Sequence, residues 1–383
     1  MRMLLAGTLS VICWVFCGFS DFSAAGASEL SDSARPVKSA KKTVKKSDEK
    51  KTALKSPKKS KTEKASKSKN SKKRGVKEEI PEDTRTFEEK EADRMAHYRE
   101  TGVWLWPELS PEQLEARAAA QKELLEKIKA AFPNTQLVYY ESEHFYYLTD
   151  APQPIAKTCL TSLEKMYASL CGMFGFPKDH QVWFGKCIVA AFVHQQNFLM
   201  FEQQFYGTAA QFASASGLAH QSSDGDVLVS TFYGDISTPE KQWKFIGTLV
   251  HETTHGFVHR YRARGELPLW LNEGIAEFMA YSICPADRQV PLKRKRGLEM
   301  MQRTGSVGGL LFMDQRIEVW QYGVASGMVE FLLRKDAKAF KPMIDEIKDG
   351  KPWQDALKDA YQWTPEEFLF AFGRMNRIPM LRP

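Results

Sequence analysis

Cysteine is scarce. The chain has six in 383 residues, and two of them, Cys13 and Cys17, lie in an amino-terminal apolar segment. The other four, Cys159, Cys171, Cys187 and Cys284, match no spacing of a thiolate-built zinc site, which excludes that class of small metal fold. They allow three disulfide pairings or four buried thiols. A Cys159–Cys171 bond is excluded if both lie on one continuous helix, where they would stand about 18 Å apart. Past residue 19 no apolar run approaches the roughly 20 residues that a membrane-spanning helix needs, so the mature chain is expected to carry no transmembrane span. No internal repeat is visible, which excludes a solenoid or propeller.

Residues 38–77 lack aromatic side chains altogether and hold three acids, Asp48, Glu49 and Glu63, against eighteen Lys or Arg. The net charge of this window is +15, while the whole chain carries +7, so the remainder sums to 7 − 15 = −8. The basic balance therefore describes a segment and not a fold. With almost no aliphatic content, the segment cannot bury enough surface to offset its ordering entropy, and disorder is expected over 28–78. Lysines without interleaved aromatics argue against base stacking and sequence-specific nucleic-acid binding. Their chemistry suits attachment to an anionic cell-envelope surface, or a solvated spacer.

Met1-Arg2, the sixteen-residue apolar run Leu4 to Phe19 and the small-x-small site Ala25-Gly26-Ala27 read as a signal peptide over 1–27, implying a secreted or periplasmic protein. Residues 79–109 form an extended or partly helical lead-in whose Trp104 and Trp106 are expected to dock on the following domain. Ser110-Pro111-Glu112-Gln113 supplies an N-cap, a proline at the first helical position and a capping glutamine, so a helix is predicted to about Ala131. Folding proper is expected to start there and to continue through 383. A hairpin around Glu141-Ser142-Glu143, a helix from about Pro154 to Met173, strands over Cys187–Val193 and Val227–Phe232, and a last helix opened by Thr364-Pro365 follow from alternation and capping signals.

The chemistry is concentrated in His251-Glu252-Thr253-Thr254-His255 and Trp270-Leu271-Asn272-Glu273-Gly274. On a helix, positions i and i+4 share a face, so His251 and His255 can offer two imidazole nitrogens to one metal ion. Glu252 then lies beside the metal, where its carboxylate can act as general base toward water that the metal acidifies. A catalytic zinc needs a third protein ligand and a vacant fourth position. Glu273, eighteen positions after His255 and beyond a helix break at Gly265 and Pro268, is the candidate. Glu277, one turn later on the same face, is the candidate for orienting His251 or His255 through its free ring N–H. A third-histidine site at His259 is rejected, because Val258 and Tyr261 stand where that pattern requires Gly and His.

These residues resemble the gluzincins, zinc peptidases that include thermolysin and the aminopeptidases with a Trp-Leu-Asn-Glu-Gly element. The stretch from about Phe145 to Phe372 further resembles secreted bacterial proteins with an uncharacterised, peptidase-MA-like core. The resemblance implies an α+β fold: a small mixed sheet over an active-site zinc helix in an upper lobe, 110–262, and a mainly helical lobe, 263–383. It implies one zinc per chain held by His251, His255 and Glu273, with Glu252 as base. Two departures stand out. The His255-to-Glu273 spacing is one residue shorter than in the aminopeptidases, and their upstream Gly-x-Met-x-Asn segment is missing. The region Ser214–His220 and Asp226–Phe232 reads instead as two strands about a turn, the outer one suited to an extended, endopeptidase-like substrate. Tyr322 is the leading oxyanion donor, with His220 and Tyr233 as rivals.

The expectation is thus a secreted zinc metallopeptidase acting on a peptide or protein substrate. The alternative is a non-catalytic zinc-fold binding protein tethered to the envelope by its lysines, and Glu252 argues against it. Because ligation requires neutral imidazole, acid should abolish metal binding and activity.

Overall fold

The computed structural model describes residues 85–177, 180–207, 215–314 and 316–383, so the signal-peptide and Lys-rich segments read from the sequence lie outside the described residues. In chain order the elements are α1 (Phe87–Thr101), α2 (Pro111–Ala131), β1 (Val138–Glu141), β2 (Phe145–Thr149), α3 (Gln153–Met173), β3 (Cys187–Phe192) and α4 (Gln195–Phe201), which runs on into a π turn, Glu202–Tyr206. Then come β4 (Gly217–Gln221), β5 (Val227–Phe232), α5 (Pro239–Arg260), α6 (Leu269–Ile283), α7 (Gln289–Thr304), α8 (Val319–Lys335), α9 (Ala337–Lys348), α10 (Trp353–Tyr361) and α11 (Pro365–Met375). Among the described residues every strand precedes α5, and the chain after it is helical. The class is α+β, as expected.

The five strands form one mixed sheet in the order β1-β2-β3-β5-β4. β2, β3 and β5 run parallel, and β1 and β4 close the two edges antiparallel. Both faces are covered, which is why β3 reads Cys-Ile-Val-Ala-Ala-Phe with no polar alternation. Val189 and Ala191 face the core shared with α3 and α5, whereas Ile188, Ala190 and Phe192 face Leu125 and Ile128 of α2 and Phe198 and Phe201 of α4. Alternation therefore fixes the direction of each side chain on β4 as well. Ala219 points toward the α5 side, and Leu218 and His220 point toward the α4 side.

α5 is the central element. Thr238 caps it by accepting from the Lys241 N–H, Pro239 follows at the first position, and from Phe245 to Val258 every residue but Thr248 is buried. At its far end the last carbonyls, which have no partner within the helix, are met by a lysine. Lys348 is 1 % exposed, and its ammonium donates to the carbonyls of Val258 at 3.0 Å and His259 at 3.3 Å. Burial holds Lys348 down at about 7 from an ordinary 10.5. Between those values the unfolded chain binds the proton more tightly, so stability rises with pH across that window. Unfolding free energies from denaturant titrations at pH 7, 8.5 and 10 are expected to climb for the wild type, by up to a few kcal/mol in all. The Lys348→Met variant should lack this part of the slope, and a slope unchanged by the substitution would contradict the assignment.

One finding departs from the expectation that folding starts near Ser110. Order begins before Ser110: α1 is a full helix, closed by a reciprocal capping box between Thr86 and Glu89 and by Gly102 in the left-handed region. It buries no residue, so it carries no apolar stripe from which it could have been recognised. The lead-in then docks as expected. Leu105 bridges to Ala263, Trp106 donates its indole N–H to the His259 carbonyl at 3.2 Å, and the Arg260 guanidinium lies 4.5 Å from the Trp106 ring centre. The four described cysteines are free and buried, so the disulfide alternative falls. No helix among the described residues is long and apolar enough to cross a membrane.

Candidate metal centre

α5 and α6 bring three ligand atoms together. His251 and His255 Nε2 lie 3.1 Å apart, Glu273 Oε2 is 3.2 Å from the first and 3.7 Å from the second, and all three residues are buried. An ion bonded to imidazole and carboxylate at 2.0–2.2 Å with tetrahedral angles would space its ligands by about 3.4 Å. The observed triangle matches that size. Glu273 Oε2 has no hydrogen-bond partner although it is buried, an arrangement that is costly unless something cationic completes it. The group can hold a metal ion.

α6 reaches this position through a backbone contact. A Cβ on Gly274 would lie 2.7 Å from the Ala325 carbonyl oxygen, so only glycine lets α6 and α8 approach this closely. Glu273 is thereby pressed toward α5 by a helix that packs on its other side.

The second nitrogen of each imidazole faces a side-chain oxygen, at hydrogen-bond distance for His255 and at ion-pair distance for His251. His255 Nδ1 lies 3.2 Å from Asn272 Oδ1, and His251 Nδ1 lies 3.5 Å from Glu277 Oε1. Of the two histidines offered to Glu277 by the sequence, His251 is the one that it faces. Burial holds both imidazoles down at about 4, so they are neutral and able to ligate at pH 7. Proton competition is correspondingly displaced from the ordinary histidine value toward pH 4.

Glu252 stands beside the triangle with both carboxylate oxygens buried and unpartnered. Burial, reinforced by the Glu273 charge, holds it well above the usual carboxylate range. The edge strand β4 backs directly on it: a Cβ on Gly217 would lie 3.0 Å from Glu252 Cγ. Tyr322, near the start of α8, joins the site with its ring centre 6.3 Å from that of His251. Burial and the charges of Glu273, Glu277 and Glu252 push its phenol up, which keeps the proton on the oxygen.

The rival donors do not reach the site. His220 is turned to the opposite face of the sheet, stacked on Tyr206 at 3.6 Å and within 3.0 Å of Glu202. Tyr233 shares a 2.6 Å hydrogen bond with Tyr147 and stacks on Phe245 in the core. His259 lies against Trp106 at the docking point of the lead-in, a structural position.

Two residues at the centre were not singled out from the sequence. Asn272 immediately precedes Glu273, and only the helix-to-helix geometry shows which imidazole it meets. Lys293 on α7 is buried and donates to Glu277 Oε1. A signal for it existed, since Val290, Lys293, Gly297 and Met301 follow the helical repeat of a buried stripe. No family model matches the chain, and a search of curated proteins finds no match.

Proposed function

We propose that this chain is a zinc metallopeptidase of the gluzincin kind, exported from the cell, with its sheet and α5 arranged in a thermolysin-like manner. The observation that carries the reading is the His251–His255–Glu273 triangle of tetrahedral size with the unpartnered Glu252 carboxylate beside it. Two nitrogens and one carboxylate oxygen are a donor set that suits zinc. Zinc, when bound, supplies Lewis-acid activation of water and polarisation of a peptide carbonyl.

The chain's own groups do the remainder. Glu252 accepts a proton from the attacking water and passes it to the leaving amine. Tyr322 donates its phenolic hydrogen to the developing oxyanion. Glu277 and Asn272 keep the imidazoles in the orientation and tautomer that ligation needs. β4, the sheet edge next to Glu252, offers the row along which an extended peptide would lie. Digestion of a peptide mixture by the purified, zinc-loaded chain tests the proposal, with cleavage expected and its absence at full zinc occupancy fatal to it.

Two variants probe the division of labour. Tyr322→Phe should retain zinc and lower kcat by about 10²–10³-fold, the usual loss on removing one oxyanion donor. An unchanged kcat would remove Tyr322 from that role. Gly217→Val pushes a branched side chain into Glu252 and should lower turnover by about 10–100-fold by displacing the base. Zinc affinity should be unaltered, and a variant that lost zinc equally with turnover would show that β4 supports the ligands rather than Glu252.

A further inference from the structure

Lys293 has no counterpart in the two sequence elements that define the centre, yet it lies against them. It is 7 % exposed, its ammonium donates to Glu277 Oε1, and that same oxygen is 3.5 Å from His251 Nδ1. Its nitrogen also stands 5.3 Å from the centre of the Tyr322 ring. Its backbone is held as firmly as its side chain. A Cβ on Gly323 would lie 2.2 Å from the Lys293 carbonyl oxygen, so α7 rests directly on the backbone of α8 at this residue. A lysine fixed at both ends is an unusual thing to find buried beside a cation site.

Its charge poses the question. An ammonium near a metal ion repels it, so Coulomb's law alone makes Lys293 unfavourable for metal binding. A compensating role must then act through Glu277. Without a cation at Oε1, the buried Glu277 carboxylate is left with a desolvation cost that rotation toward solvent would relieve, and rotation removes the acceptor facing His251. We propose that Lys293 is a positioning residue that fixes Glu277 against His251 and thereby tightens the centre's hold on a divalent ion. The inference rests on the metal reading of the His251–His255–Glu273 group, but not on peptide hydrolysis.

The two effects have opposite signs, so one measurement separates them. Zinc affinity of the full chain, measured by competition with a chromophoric chelator, is expected to fall about 10–100-fold in Lys293→Met, the range typical of lost outer partners of metal ligands. Lys293→Arg should recover most of the loss. Glu277→Gln should weaken zinc similarly, and the Lys293→Met/Glu277→Gln double variant should be no weaker than Glu277→Gln by more than about threefold, because the lysine acts through that carboxylate. Circular dichroism and apo-protein melting serve as the fold control. If Lys293→Met does not fold, the comparison of Glu277→Gln with the double variant, in which no lone buried charge remains, decides the matter. Wild-type or tighter zinc binding by Lys293→Met overturns the proposal, as does a further tenfold loss in the double variant. A wild-type chain that takes up no zinc removes the underlying metal reading instead.

Discussion

Glu252→Gln is expected to keep stoichiometric zinc while peptide hydrolysis falls by about 10²–10⁴-fold, the contribution of a positioned general base. The substitution preserves the shape of the side chain and removes only its capacity to take a proton. The expectation comes from the surroundings of Glu252. Its two oxygens are buried and make no hydrogen bond, it is not one of the three atoms that form the ligand triangle, and the Cγ rests on the glycine of the edge strand. A structural carboxylate in such a place would be paired. Metal analysis alongside turnover on a peptide mixture makes the check, and hydrolysis at the wild-type rate would show that another group takes the proton.

The second large effect is expected of His255→Ala. It deletes one corner of the triangle, strips Asn272 Oδ1 of its imidazole partner and leaves Glu273 Oε2 with only His251 beside it. Zinc affinity should fall well beyond the 10–100-fold typical of outer partners. Thermal melting gives the readout. Zinc at a thousand times its dissociation constant should stabilise the wild-type protein by about 4 kcal/mol, and the same addition should leave the variant unmoved. Glu252→Gln must keep the full zinc-dependent shift. If His255→Ala kept it as well, the ion would be bound somewhere other than the α5–α6 triangle.

The parts of this site that were legible in the sequence share one property: each is fixed by periodicity within a single element or by a sharp element boundary. His251 and His255 are one turn apart, and the break at Gly265 and Pro268 demands a new helix, so Glu273 had to return near them. The helix opened by Ser110-Pro111 and the hairpin about Glu141 are likewise local. What escaped is relational. The face toward which His220 points cannot be read from β4, because both sides of that strand are buried and its composition does not alternate. α1 is polar around its whole circumference and is held by capping rather than by burial. Lys293 sits in the run Leu292-Lys293-Arg294-Lys295-Arg296, whose charges suggest a solvated helix surface, and only its register with Val290, Gly297 and Met301 betrays the inward position. Its partner, Glu277, is sixteen residues away on another helix.

The central claim is that two imidazoles and one carboxylate from adjoining helices bind a single ion. X-ray absorption at the zinc edge of the loaded full-length chain tests it directly. The expected spectrum has two imidazole nitrogens and carboxylate oxygen at about 2.0–2.2 Å and no sulfur, with the imidazole signature lost in His255→Ala. A sulfur shell near 2.3 Å, or an unchanged spectrum in that variant, would contradict it.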